Sequence, residues 1–355
     1  MKIFYLLPFF MLTTAMTCQS TSKNAPPQYP TVQKDSIPPQ TTFSEKMRGI
    51  TVVAPQRAFE QDQMDSVRAT GANFIALVPY GFTQIGEPHV QYGKGWQWWG
   101  ERPEGVRGMS KMAHAAGLKV LLKPQVYVPS GWPGSIFFEK EADAQQWENE
   151  YEKFIMIFVE IAVEEKIDAF CVGTEFRQLE VKRPQFWRNL IQKIRKKYSG
   201  QLTYSANWDS FEEVPFWDAL DFVGTNAYFP LVEKDTPPVS ELCEAWKPIA
   251  QRFQTFYEKV KKPICFTEYG YLTVNGAAGK TWLLEKDVKK RTINQHAQAN
   301  AYEALFRTFG EKKYWNGGFV WKWFPKGMGH EGYPERDYTP QQKQAQQVLT
   351  KFYSF

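Results

Sequence analysis

Short apolar runs rich in β-branched and aromatic residues alternate, from Lys46 onward, with longer stretches of helical period. The runs predict strands over 47–54, 72–80, 118–128, 168–176, 202–208, 221–229, 263–271 and 317–324. The amphipathic stretches predict helices near 60–70, 105–116, 142–165, 184–198, 239–260, 294–310 and 340–352, with only a short one near 214–217 after strand five. A long Gly- and Trp-rich excursion follows strand two. Eight strand–helix units in series predict a closed (β/α)8 TIM barrel. An open doubly wound sheet is the alternative, but no Gly-x-Gly-x-x-Gly follows strand one. No shift in composition divides the chain after Lys46, so residues 46–355 read as a single catalytic domain.

Upstream of the barrel the pattern changes. Met1 and Lys2 precede an apolar run at 3–12 that is too short to span a bilayer, and small or polar residues lead to Cys18. This is the layout of an export signal over residues 1–18. Residues 12–18 resemble a bacterial lipobox with Cys18 as the lipidated residue, although Thr17 stands where Gly, Ala or Ser usually precedes the Cys. Cleavage after Ala15 by the ordinary signal peptidase is the alternative. Residues 19–45 hold five Pro, eight Ser or Thr and four Gln. Such a segment buries too little apolar surface to offset its ordering entropy, and it reads as a disordered linker. The expectation is an exported membrane lipoprotein, periplasmic or on the cell surface, that meets the membrane only through its lipid anchor.

Charge and composition narrow the partners. Lys and Arg number 43 against 38 Asp and Glu, and the net +5 is too diffuse to point to nucleic acid. Aromatic residues reach 16% of the chain, with 13 Trp and 17 Tyr, which suits the apolar faces of sugars as well as a core. With Cys18 assigned to lipid, Cys171, Cys243 and Cys265 cannot all pair within one molecule and read as buried free thiols. His89, His114, His296 and His330 are scattered without metal-ligand spacing, so neither a metal nor a cofactor is expected.

Catalytic groups of parallel barrels sit at the C-terminal ends of the strands. Those ends carry Lys123 and Gln125, Glu175, Asn207 and Trp208, Asn226 and Tyr228, Glu268 and Trp321, where a merely structural strand would end in Val, Ile or Leu. Period-two alternation groups Cys171, Gly173 and Glu175 on one inward face. It groups Phe222, Gly224, Asn226 and Tyr228 on a second, and Ile264, Phe266 and Glu268 on a third. Strands four and seven lie across the barrel from one another, so their Glu side chains can converge on one bound bond.

The segments Gly173-Thr174-Glu175-Phe176 and Phe266-Thr267-Glu268-Tyr269-Gly270-Tyr271 resemble the retaining glycosidases of clan A. Over 46–353 the chain is most similar to glycoside hydrolase family 113, the endo-β-mannanase family. The resemblance implies that Glu175 is the acid/base and Glu268 the nucleophile, acting on β-linked mannan, glucomannan or their oligosaccharides. Retention needs one carboxylate to attack the anomeric carbon and one acid to protonate the leaving oxygen, with the carboxyls about 5–5.5 Å apart. Tyr228 is placed to hold Glu268 ionised. Many clan members carry Asn where this chain has Thr174, so recognition of the sugar 2-hydroxyl is left without an assigned residue.

Trp321, co-facial with Phe319 and Trp323, is expected to floor the sugar site, and Trp208 to wall it. Trp98, with Trp96 and Trp99 in the excursion after strand two, offers further stacking, and the stretch 275–282 is another candidate wall. Lys123, Gln125, Asn207 and Asn226 are candidate partners for sugar hydroxyls. Asp209, Glu331 and Asp337 read as solvated or structural carboxylates. Two rival classes stand beside the hydrolase of mannan or another β-linked sugar. One is a Schiff-base lyase using Lys123, for which strand seven needs no second Glu. The other is a non-catalytic glycan-binding lipoprotein. The protein is expected to act as a monomer.

Overall fold

The computed structural model describes residues 46–129, 131–325 and 334–354. The signal segment with Cys18, the 19–45 linker and Glu331 lie outside these residues. Ten strands are formed: β1 (Met47–Val52), β2 (Phe74–Leu77), β3 (Tyr80–Phe82), β4 (Lys119–Leu122), β5 (Gln125–Tyr127), β6 (Ala169–Thr174), β7 (Gln201–Asn207), β8 (Val223–Asn226), β9 (Ile264–Tyr269) and β10 (Trp315–Trp323). Eight of them close a barrel in the order β1, β2, β4, β6, β7, β8, β9, β10 and back to β1. Every neighbouring pair is parallel. The (β/α)8 expectation therefore holds.

Strands two and three run shorter in the barrel than their apolar runs predict. Each is interrupted by a proline, Pro79 or Pro124, which has no N–H to give the ladder. Beyond the prolines the chain resumes as β3 and β5, which pair with each other as a separate two-stranded ribbon at the barrel mouth.

The outer layer comprises α1 (Gln61–Arg68), α2 (Pro103–Ala115), α3 (Glu141–Glu164), α4 (Arg177–Lys182), α5 (Pro184–Arg195), α6 (Val239–Val260), α7 (Thr281–Leu284), α8 (Gln295–Phe309) and α9 (Gln344–Tyr353). Between β7 and β8 the chain makes two single 3-10 turns, at Phe211–Glu213 and Trp217–Ala219, in place of the single short helix expected there. The two short helices α4 and α7 had no counterpart in the hydrophobic pattern. No helix among the described residues is long and apolar enough to cross a membrane.

Apolar side chains fall into two main layers. Met47, Phe74, Ala76, Leu121, Ala169, Cys171, Phe222, Cys265 and Phe319 fill the barrel interior. The opposite strand faces, including Phe170, Val172, Val223, Ile264 and Phe266, join the larger core beneath the helices. Cys171, Cys243 and Cys265 are free thiols; Cys171 and Cys265 are buried as expected, whereas Cys243 on α6 is only half-buried.

The predicted alternation fails on the two strands that carry glutamates. On β6, Cys171 points inward, yet a side-chain atom on Gly173 would strike Trp187 and Tyr204 in the helix layer. Thr174 lies back within 3.9 Å of Cys171, and the register against β7 slips between Cys171 and Thr174. On β9, Ile264 and Phe266 face the helices rather than the interior, and the register against β8 slips between Thr225 and Asn226. Such irregularities insert a residue and re-aim the side chains beyond it. They deliver Thr174 and Glu268 toward the barrel axis, and a left-handed turn at Glu175 brings that side chain to the same side. On β8 the alternation survives: Phe222 is interior, Val223 lies under the helices, and Asn226 and Tyr228 reach the mouth. On β10, Trp323 packs under the helices and so leaves the face it was expected to share with Trp321.

Candidate active site

A cavity of about 730 Å³ opens at the C-terminal mouth of the barrel. Its wall holds Glu175, Glu268, Gln125, Asn207, Trp208, Asn226, Tyr228 and Trp321 from the strand ends predicted to matter. Trp132 and Tyr338 from the loops, with Arg177 of α4 and Trp282 of α7, also line it. Both glutamates thus face one hollow large enough for sugar rings.

The two carboxyls sit in different surroundings. Glu268 is nearly sealed from solvent and receives three donors. Lys123 Nζ and Gln125 Nε2 meet Oε1, the latter at 2.7 Å, and the Tyr228 hydroxyl donates to Oε2 at 3.1 Å. Burial and the adjacent carboxylate raise the Tyr228 phenol far above its usual range, so it stays a donor. Glu175 accepts from the Trp132 indole N–H at 2.6 Å and from the Asn226 amide at 2.9 Å. Its carboxyl is raised above the usual glutamate value, first by burial and then by the charge of Glu268, against the lowering effect of those hydrogen bonds. One carboxyl is therefore surrounded by a cation and two donors, and the other is biased toward keeping its proton. A raised acid of this kind is what proton donation to a leaving group requires.

A buried polar layer fixes the geometry from below. The Ser205 and Thr267 hydroxyls both reach Asn226 Oδ1, at 2.7 and 3.2 Å. With its oxygen so occupied, the Asn226 amide nitrogen must point at Glu175. Asn226 thus orients a carboxyl through the same amide that was expected to grip a sugar.

Lys123 requires a correction. Expected to meet a sugar hydroxyl, it is fully buried, lines neither cavity at the mouth, and spends its ammonium on Glu268 and the Thr267 carbonyl. Sealed beneath the floor and ion-paired, it cannot meet a carbonyl substrate, which removes the lyase reading. Trp98 is displaced as well. It lines an adjoining cavity of about 430 Å³ with Glu101 and Val53, which meets the catalytic one at Tyr80, Tyr127 and Trp321. Trp99 packs edge-on against Phe59, and Trp96 is exposed beside Phe82.

The remaining expectations divide. Trp208 stacks with Trp282 at 5.9 Å, so one ring of the 275–282 stretch does form a wall. Asn207 lines the cavity, and its Oδ1 accepts from the Trp208 N–H at 2.8 Å. Asp209 also lines the cavity, ion-paired with Arg177 at 3.0 Å. Asp337 is buried and pairs with Lys322 at 3.5 Å, a structural role rather than a solvated one. Trp132 went unread in the sequence. Its signal was an aromatic residue inside Gly131-Trp132-Pro133-Gly134, directly after strand three, where a rigid turn can hold a side chain over the mouth. No cluster of metal-binding side chains occurs among the described residues.

The model of glycoside hydrolase family 113 matches residues 54–343. Among solved structures, a family 113 β-mannanase from Alicyclobacillus acidocaldarius in complex with ManMIm is 26% identical, with a TM-score of 0.76 over 88% of this chain and 98% of that one. A family 113 β-1,4-mannanase complex is 22% identical, with a TM-score of 0.74 over 87% of this chain and 99% of that one. The β-glucuronidase of Ruminococcus gnavus shares the fold at 15% identity and a TM-score of 0.57, this chain spanning half of its length. No curated protein matches the sequence.

Proposed function

Since the chain belongs to glycoside hydrolase family 113, we propose that it cleaves β-1,4-linked mannan, glucomannan or their oligosaccharides with retention of anomeric configuration. The observation that carries this reading is the pair of unlike carboxyl environments on one cavity wall. The names of two similar structures, β-mannanase and β-1,4-mannanase, support the choice of sugar.

In the first step a Glu268 oxygen bonds to the anomeric carbon while the glycosidic C–O bond breaks. The Glu175 proton passes to the departing oxygen. In the second step the ionised Glu175 takes a proton from water, whose oxygen attacks the same carbon and displaces Glu268. Lys123, Gln125 and Tyr228 keep Glu268 aimed for attack. Because Glu175 protonates the leaving oxygen, Trp132, which donates to it, walls the side of the leaving sugar. General acid–base assistance of this kind is worth about 10²–10⁴-fold.

The reading also includes export, lipid attachment at Cys18 and action as a monomer. The apolar run before Cys18 and the polar, Pro-rich linker after it support the anchor. Hydrolysis of mannohexaose and cellohexaose followed by proton NMR tests the function. The expected result is turnover of mannohexaose with the β-anomer appearing first. Inactivity on mannohexaose would overturn the substrate, and an α-anomer appearing first would overturn the mechanism.

A further inference from the structure

The short helix after the acid/base strand carries a buried carboxyl that the reaction steps do not use. Glu180 lies on α4 and is fully buried. Its Oε1 accepts from the Tyr204 hydroxyl at 2.6 Å, and that hydroxyl accepts in turn from the Phe176 backbone N–H at 2.7 Å. Its other oxygen, Oε2, is buried without a hydrogen-bond partner. The charged groups acting on it are Glu175, Arg177 and Glu213. Burying an acid with one oxygen unmatched lowers stability.

The backbone that this pair holds is strained. Glu175 has φ 57°, in the left-handed region, which costs a residue with a side chain about 1–3 kcal/mol. Alternation resumed from Thr174 would turn Glu175 toward the helices, and the left-handed turn returns it to the cavity. The amides on both sides of the strained residue are tied down: Glu175 N–H to the Ser205 carbonyl at 2.8 Å, and Phe176 N–H to Tyr204.

We propose that Glu180 and Tyr204 form a positioning relay for the acid/base. By accepting the Tyr204 hydroxyl hydrogen, Glu180 leaves the hydroxyl oxygen free for the Phe176 N–H, which holds Glu175 in the backbone conformation that aims its carboxyl at the glycosidic oxygen. The relay needs an acceptor at position 180 and no charge there. Burial raises the Glu180 carboxyl to about 7, so below neutrality it is a neutral acid whose carbonyl oxygen still accepts. The relay rests on the acid/base role given to Glu175 above.

Leaving-group dependence tests it, because only a poor leaving group needs the proton of Glu175. The measurement is kcat/KM of the full chain on mannohexaose and on 2,4-dinitrophenyl β-mannobioside, for wild type, Glu175→Ala, Tyr204→Phe, Glu180→Leu and Glu180→Gln. Tyr204→Phe and Glu180→Leu should each lose about tenfold or more on mannohexaose and less than about twofold on the aryl substrate. Glu180→Gln keeps an acceptor and should stay within about twofold of wild type on both. Equal losses on the two substrates, or none, in Tyr204→Phe would overturn the relay, provided Glu175→Ala shows the split. If Glu175→Ala itself loses equally on both, the acid/base role falls instead. Tyr204→Phe keeps the ring that packs on Trp187 and decides the matter even if Glu180→Leu does not fold.

Discussion

Three donors converge on Glu268, and Lys123 is the one sealed completely from water. Removing one member of a buried ion pair leaves the other charge uncompensated, which typically costs about 3–5 kcal/mol. Lys123→Met should therefore lose that much in urea unfolding. The double variant Lys123→Met/Glu268→Gln should recover a large part of the loss, because neither charge remains. A loss below about 1 kcal/mol in the single variant would contradict the pairing. At this scale the strand-end positions were legible, and one bond, Tyr228 to Glu268, was foreseen and is present. The partners of Lys123 and Asn226 were not. Each meets a residue that is remote in sequence, and no local pattern records such a meeting. Trp132 reaches Glu175 across 43 positions in the same way.

Among the elements, the barrel strands were legible because an apolar run of strand length survives even where a proline cuts it. The irregularities on β6 and β9 were not, since one inserted residue leaves the composition of a strand unchanged while inverting the faces beyond it. Helix α4 was missed because six residues are too few to display a helical period. It nonetheless imposes a pH dependence on the fold. The Glu180 carboxyl is raised from 4.5 to about 7 by burial, so the native state holds this proton more tightly than the unfolded chain does. Its contribution is full below about 4.5 and is lost as pH rises through about 7, on the order of 3 kcal/mol in total. Raising the pH from 5 to 8 should lower the Tm of wild type more than that of Glu180→Gln. Parallel Tm curves for the two proteins would contradict the assignment.

At the scale of the whole molecule, closure of eight parallel strands brings side chains from five of them, with the β3–β5 ribbon, to one mouth, and the chemistry depends on that convergence. The barrel and its glutamate pair could be read from the order of strands and from which strand ends carried polar residues. The second cavity beside Trp321, with Trp98 and Glu101 in its wall, could not be read, because it depends on how the excursion after β3 folds back over β1 and β10. In the proposed mechanism Glu268 bonds covalently to the sugar while Glu175 supplies the proton. Inactivation with 2-deoxy-2-fluoro-β-mannosyl fluoride, followed by intact mass and peptide mapping, tests it most directly. One 2-fluoromannosyl group per chain is expected, attached to Glu268 and absent in Glu268→Gln. A label on another residue, or turnover of the fluoride with no adduct and inverted product, would contradict it.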